Sequence, residues 1–322
     1  MIMPNRHISE FKSLLYIIDH SSRILLFAHK NPDPDSVGSV CAMRQYLLSL
    51  GKKVDVGCLD VFPKSLEHIF SEHFFHPDTL NLSVYDSVIA CDSVERGFHT
   101  IQDRFEERQA VVLLDHHHDI TMSADVNIID ASYSSTCEIV YDFLNYAGAT
   151  ITKDIATMLM AGILGDTGNF QHANTSTRVF EIGADLLRKG APLQKITHTV
   201  FSNRKFATLK LWGTAFNKAR FYEKIGMIVT VLTMHDILEC EATSEDLAQV
   251  ANILATIPGV KFSLILSQKT KEIIKGSFRS EENGKIDVSE IARLLGGGGH
   301  RLASGFEMRG TLVDTTNGWM IR

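Results

Sequence analysis

This sequence of 322 residues is short of three things: paired cysteines, long apolar runs and surplus positive charge. Its five cysteines, Cys41, Cys58, Cys91, Cys137 and Cys240, are odd in number and widely spaced, with no C-x-x-C pair. That usage speaks against a disulfide framework and a thiolate zinc site, and fits a reducing compartment. No unbroken apolar stretch approaches the ~18 residues of a membrane span. The first residues set Asn5, Arg6, His7, Glu10 and Lys12 among apolar neighbours, unlike a signal peptide, so a cytoplasmic location without a membrane partner is expected. With 38 acidic against 32 basic residues the net charge is −6, which leaves no broad basic face for long duplex nucleic acid. A nucleotide partner has to be short or locally gripped.

What is present describes an ordinary globular chain, 44% hydrophobic and 22% charged, with length for about two domains. Apolar strand-like runs fall at Ile24 to Ala28, Val54 to Cys58, Ser87 to Cys91, Val111 to Leu114 and Val126 to Ile129. Between the first two, Val40, Met43, Leu47 and Leu50 recur at helical spacing and Gly51 ends the helix, which makes one βαβ unit. Further helices are expected from Cys137 to Ala147, Ile155 to Leu164 and Thr177 to Arg188. The pattern then changes to strands at Met227 to Leu232, Phe262 to Leu266 and Ile273 to Phe278, with helices at Glu245 to Leu254 and Val288 to Leu295. The expected fold class is therefore α/β, a mostly parallel sheet flanked by helices, followed by a smaller α+β C-terminal domain. The expected division is 1–190 for the domain with the site, 191–210 for a linker and 211–322 for the second domain. The tail after Gly310 carries no readable pattern.

Acidic residues and histidines gather in four places that follow apolar runs, where separate segments of an open α/β sheet can converge. In FAHKNPDPDSVGS, His29 is followed by Asp33 and Asp35 in a proline-stiffened loop whose alternate carboxylates can face neighbouring cations. A turn with Asp35 as helix N-cap would explain this cluster alone. VIACDSVERG places Asp92 at a strand end, where a capping role is the simple alternative. In VVLLDHHHD, three consecutive histidines after Asp115 cannot all be core residues, because neighbours on a strand point to opposite sides. MLMAGILGDTGNF carries Asp166 among glycines, in what is otherwise an ordinary turn. Together, His29, Asp33, Asp35, Asp92, His116 and Asp166 offer two imidazoles and four carboxylates, a shell suited to manganese or magnesium, and four negative charges would balance two divalent cations.

These motifs, in this order, resemble those of the DHH phosphoesterase family, named for the run Asp115, His116, His117. Ser134, Ser135 and Thr136 in YSSTCEI resemble the family's phosphate-contacting loop. GGGGHRLASGF, from Gly296 to Phe306, resembles the signature of the DHH-associated domain, with Arg279 in GSFRS as a companion residue. Gly298 and Gly299 allow backbone N–H groups to surround a phosphate, while His300 and Arg301 supply charged donors. The length, with no extra domain, resembles the NrnA-type oligoribonucleases within the family.

The resemblance implies two divalent cations, manganese ahead of magnesium or cobalt. It implies that His29 and Asp33 hold one, Asp35 and His116 the other, and that Asp92 with Asp166 completes or bridges the pair. His117 is expected to touch the scissile phosphate, and Asp115 to orient a ligand histidine. Ser134, Ser135, Thr136, Arg279, Gly298, Gly299, His300 and Arg301 are expected to bind substrate. The implied reaction is hydrolysis of very short RNA to mononucleotides, and of 3′-phosphoadenosine 5′-phosphate to AMP, by a chain that can form a homodimer. Relatives carry an arginine soon after GDTG where this chain continues Phe170, Gln171, His172, a departure that bears on substrate preference. Three alternatives stay open: a cyclic-di-AMP or pGpG phosphodiesterase, a manganese inorganic pyrophosphatase, and a nucleotide-binding module without catalysis.

Overall fold

The structure, a computed structural model, describes residues 6–70, 72–117, 120–202, 205–247, 249–281, 286–315 and 318–322. The chain divides into two compact units, 1–203 and 204–322.

Unit 1 opens with α1 (Ile8–His20), β1 (Arg23–Phe27), α2 (Pro34–Ser49), β2 (Lys53–Gly57), β3 (Ser87–Cys91), β4 (Ala110–Asp115) and β5 (Val126–Ile129). It closes with α3 (Thr136–Tyr146), α4 (Lys153–Asp166), α5 (Thr177–Arg188) and α6 (Leu193–Thr197). Among the described residues the strands form one parallel sheet in the order β2-β1-β3-β4-β5. Both faces are buried, which is why the strands read as continuous apolar runs. Ile24 and Leu26 of β1 pack with Val40 and Leu47 of α2, whereas Leu25 and Phe27 pack on the opposite face with Tyr85, Phe98 and Ile101, which lie in or just after short 3₁₀ turns. The chain leaves β1 first to β2 on one side and later to β3 on the other, so the sheet has its switch point at the carboxyl ends of β1 and β3.

Helix α1 is not among the elements the patterning assigns, although Phe11, Leu14 and Ile18 carry the helical period and are buried. Segment 191–210 contains α6, a π-helical turn at His198–Ser202 and the start of the next helix; Ile196 of α6 belongs to the core of unit 1.

Unit 2 begins with α7 (Phe206–Lys218), β6 (Arg220–Tyr222), β7 (Met227–Leu232), α8 (Met234–Glu239), α9 (Val250–Ala255), β8 (Phe262–Gln268) and β9 (Ile273–Ser280). It continues through α10 (Val288–Leu294), β10 (Gly298–His300), β11 (Ala303–Arg309), β12 (Leu312–Thr315) and β13 (Gly318–Ile321). A mixed sheet runs β10-β11-β9-β8-β7-β6, and β12 and β13 form a hairpin in the tail where no pattern was readable. The single helix expected at Glu245 to Leu254 is replaced by a 3₁₀ turn at Ser244–Leu247 and the short α9. In that turn the Asp246 carbonyl accepts from the Trp212 indole N–H at 2.7 Å, and the Asp246 carboxylate accepts from the amide and hydroxyl of Thr243.

Gly213 lies within α7 with open space where a Cβ would stand. Gly213→Ala is expected to raise stability by roughly 0.5–1 kcal/mol through the lower entropy of the unfolded chain, read from the denaturant midpoint. A fall in the midpoint would show that something covers this face of the helix.

Candidate metal centre

Each loop of the site starts at the carboxyl end of a strand or helix. His29 follows β1 and is fully buried. Its Nδ1–H donates to the Lys30 carbonyl at 2.6 Å, which fixes the ring and leaves Nε2 as the ligand atom. That Nε2 lies 3.1 Å from Asp33 Oδ2 and 3.4 Å from Asp92 Oδ2. Asp33, rather than Asp35, is the N-cap of α2: its Oδ1 accepts from the amides of Asp35 and Ser36 at 3.0 and 3.1 Å, and its Oδ2 faces the site. Asp35 sits in the first turn of α2, fully buried, and its two oxygens accept from the amides of Thr136 and Cys137 at 2.7 and 2.9 Å.

Asp92 follows β3 with φ at +54°, a left-handed conformation that aspartate adopts more readily than most non-glycine residues. Its Oδ1 lies 3.8 Å from His116 Nε2, while its Oδ2 faces His29. His116 follows β4; its Nε2 is 2.9 Å from Oδ2 of Asp166, the last residue of α4, and 3.9 Å from Asp35 Oδ2. Asp115 ends β4, and its Oδ1 accepts from the amide of His117 at 3.1 Å and from its Nδ1 at 2.7 Å. His118, the third histidine of the run, is outside the described residues.

Among the described residues three overlapping sets of donors emerge: His29, Asp33 and Asp92; Asp35, His116 and Asp166; and Asp92, His116 and His117. Within each set the ligand atoms lie within 4.8 Å of one another. Asp92 belongs to two of these sets and turns a different oxygen to His29 and to His116.

The electrostatics of this cluster call for cations. Burial, then the charges of Asp35, Asp33, Asp115 and Asp166, hold the Asp92 carboxyl well above its ordinary value. Burial and then Asp166 push Asp35 up to about 7. For His116 burial opposes protonation, yet the bond to Asp166 and the charge of Asp35 carry it up to about 9. Asp33 goes the other way: against the cost of burial, its bond to His29 holds it below the usual carboxylate range. Nε2 of His29 and of His116 are buried and face the carboxylate oxygens of Asp33 and Asp166. Convergent carboxylate oxygens beside two buried imidazole nitrogens fit divalent cations of hard to borderline character.

The structure thus brings His29, Asp33, Asp35, Asp92, His116 and Asp166 together, with Asp115 and His117 beside them. Ser134, Ser135 and Thr136 adjoin the cluster but are buried, with hydroxyls committed to protein partners: Ser134 Oγ donates to Glu138, Ser135 Oγ accepts from the Glu138 amide, and Thr136 Oγ1 donates to Asp92. Sequence reasoning missed the role of the Thr136 and Cys137 amides, because backbone donors carry no letter. It also missed Arg96, whose Nη1 is 3.5 Å from Asp33 Oδ2.

In unit 2, a cavity of about 300 Å³ is lined by Lys275, Ser277, Arg279, Gly298 and Gly299 among others. Arg279 is anchored there by Nε donating to Asn252 Oδ1 at 2.8 Å. Close packing against β11 requires glycine at two positions of the run: Gly299 has φ at +135°, and a Cβ on Gly297 would stand 2.1 Å from the Gly305 carbonyl oxygen. Arg301 is exposed in the turn after β10, and the side chain of His300 is outside the described residues.

Two family models match the chain, the DHH family N-terminal domain over residues 23–163 and the DHHA1 domain over residues 225–315. The chain belongs to the DHH family of phosphoesterases. Enzymes of this family depend on metal ions, in keeping with the donor cluster above. The bifunctional oligoribonuclease and PAP phosphatase NrnA of Thermus thermophilus is 29% identical over 293 residues, covering 90% of this chain and 86% of the relative. The Bacillus subtilis protein of the same name is 26% identical, with 91% of both chains covered. An exopolyphosphatase-related protein from Bacteroides fragilis, 25% identical, superposes with a TM-score of 0.86 over 94% of this chain and 92% of the other. RecJ of Thermus thermophilus in complex with Mn²⁺, 14% identical, shares the fold with a TM-score of 0.58 over 96% of this chain and 53% of its own. Among the described residues no helix is long and apolar enough to cross a membrane.

Proposed function

We propose that this DHH enzyme hydrolyses very short oligoribonucleotides to mononucleotides and removes the 3′-phosphate of 3′-phosphoadenosine 5′-phosphate, using two Mn²⁺ ions, in the cytoplasm. The observation that carries the reading is Asp92, whose two oxygens face two different donor sets. The names of the Thermus thermophilus and Bacillus subtilis relatives support the substrate class.

On this reading His29, Asp33 and Asp92 hold one ion and Asp35, His116 and Asp166 the other, with Asp92 shared. When bound, such a pair of ions activates water and neutralises charge on phosphoryl oxygens. The side chains supply the rest. Asp115 takes two hydrogen bonds from His117, amide and Nδ1, so the imidazole is held in one orientation, and we assign its Nε2 to the scissile phosphoryl oxygen. Residues 1–190 carry this chemistry. Residues 211–322 supply Arg279, Gly298, Gly299, His300 and Arg301 to the nucleotide part of the substrate. The Lys275 and Arg279 side chains lining the unit 2 cavity support that assignment by giving it local positive charge in a chain of net charge −6.

The test is product analysis. The purified chain with Mn²⁺ is expected to turn a 5′-labelled diribonucleotide into mononucleotides and 3′-phosphoadenosine 5′-phosphate into AMP, and to leave a long RNA largely intact. Turnover confined to cyclic-di-AMP, or to pyrophosphate, would replace this reading, and tight nucleotide binding without turnover would make the chain a sensor. Arg279→Ala is expected to raise KM for the dinucleotide about 10-fold or more, the cost of a lost charged hydrogen bond, with kcat much less affected. An unchanged KM would remove Arg279 from the substrate site.

A further inference from the structure

Helix α3 meets the metal centre with its first turn. The amides of Thr136 and Cys137 grip Asp35, and Thr136 Oγ1 donates to Asp92 Oδ1 at 3.4 Å. Asp35 therefore takes its aim from the backbone amides of residues 136 and 137, whereas Asp92 meets this turn only through the longer contact with the Thr136 hydroxyl. Glu138 sets that backbone. Ser135 Oγ caps the Glu138 amide at 3.1 Å, and Glu138 Oε2 accepts from both the amide and the hydroxyl of Ser134 at 2.8 Å. This is a capping box extended back by one residue, since the returning carboxylate usually meets the amide of the cap itself.

Glu138 is in turn held from α5. Its Oε1 accepts from Arg178 Nε at 3.1 Å, and the same guanidinium pairs through Nη2 with Asp142, one turn further along α3. The Tyr133 hydroxyl donates to the other oxygen of Asp142 at 2.9 Å. Glu138 and Asp142 are only 3% and 2% exposed, so two buried carboxylates share one guanidinium. From the same segment, Asn174 Nδ2 donates to the carbonyls of Ser134 at 3.0 Å and Asp166 at 3.3 Å. Residues 174–178 thereby tie the turn that holds Asp35 to the end of α4, where Asp166 stands, two members of one donor set.

We propose that Arg178 is a positioning residue of the metal centre: through Glu138 and Ser134 it holds the first turn of α3 where Asp35 is aimed at the ion shared with His116 and Asp166. The assignment rests on the metal reading of those residues. Lysine cannot replace it fully, because the planar fork reaches two carboxylates at once through Nε and Nη2.

The test is Mn²⁺ titration of the metal-free full chain by calorimetry, on wild type, Arg178→Met and Arg178→Lys, alongside thermal melts and steady-state kinetics with a dinucleotide. One of the two ions is expected to bind about 10–100-fold more weakly in Arg178→Met, the usual cost of losing support behind a ligand, and less so in Arg178→Lys. The second ion and KM at saturating Mn²⁺ should be unchanged, and kcat should recover as Mn²⁺ is raised. A purely structural arginine would lower the melting temperature without moving ion affinity, and that result overturns the assignment. So does loss of cooperative unfolding in both variants. Wild type that takes up no Mn²⁺ would sink the metal reading and this assignment together, whereas normal wild-type binding with unaltered binding in both variants overturns the assignment alone.

Discussion

Asp92→Asn is expected to leave a folded protein whose kcat is lower by at least about 10³-fold, the upper range for loss of one electrostatic contact at a reaction centre. Asparagine keeps the shape, and it tolerates the left-handed backbone at φ +54°, so the substitution adds no strain. It removes the negative charge and puts an amide NH₂ where one of two ligand oxygens stood. Because Oδ2 faces His29 and Oδ1 faces His116, either orientation of the amide spoils one donor set. Stability should respond in the opposite direction. The Asp92 carboxyl is held well above its ordinary value by burial and neighbouring carboxylates, so ionising it in the metal-free fold is costly, and a neutral amide avoids that cost. The metal-free variant should melt at or above the wild-type temperature. Wild type with Mn²⁺ at a hundredfold excess over Kd should gain roughly 2.7 kcal/mol from one site by mass action, and the variant should lose most of this gain. Full activity, or an unchanged Mn²⁺-induced rise in melting temperature, would remove Asp92 from the centre.

Much of this site is legible in the sequence because its side chains belong to strand ends. A parallel strand buried on both faces is a short unbroken apolar run, and Ile24 to Ala28, Ser87 to Cys91 and Val111 to Leu114 each lead directly into a histidine or aspartate. What escapes is whatever depends on two distant segments meeting. Glu138 and Arg178 are separated by 40 positions and look like ordinary surface charges on amphipathic helices until α3 and α5 are placed side by side. The hydroxyls of Ser134 and Ser135 look available in the sequence and are committed to Glu138 in the fold. In unit 2 the Trp212 indole bonds the carbonyl of Asp246, 34 positions away, a contact for which the sequence around Asp246 offers no sign.

Gly162→Ala is expected to damage the enzyme from a position that carries no chemistry. Helix α4 must lie close against the first turn of α2 to bring Asp166 to Asp35 and His116, and glycine makes that approach possible. A Cβ at 162 would stand 2.2 Å from Cys137 Sγ, 2.7 Å from Asp35 Oδ1 and 3.0 Å from Asp35 Cα. Alanine is the better helix former by about 1 kcal/mol, but the last of these contacts is with backbone and cannot be relieved by rotating a side chain. Overpacking of this kind costs about 1–3 kcal/mol, so the net change should be a loss of stability. The larger effect should be on turnover, because displacing a ligand by about 1 Å can cost roughly 10²-fold in rate. A second substitution separates the two effects. Adding Cys137→Ala removes the sulfur but leaves both contacts with Asp35, so the double variant should recover part of the lost stability while kcat stays low. Recovery of kcat in the double variant would mean that the sulfur, and not the position of Asp35, sets the requirement for glycine; a stable and fully active Gly162→Ala would mean that α2 and α4 are not held this close.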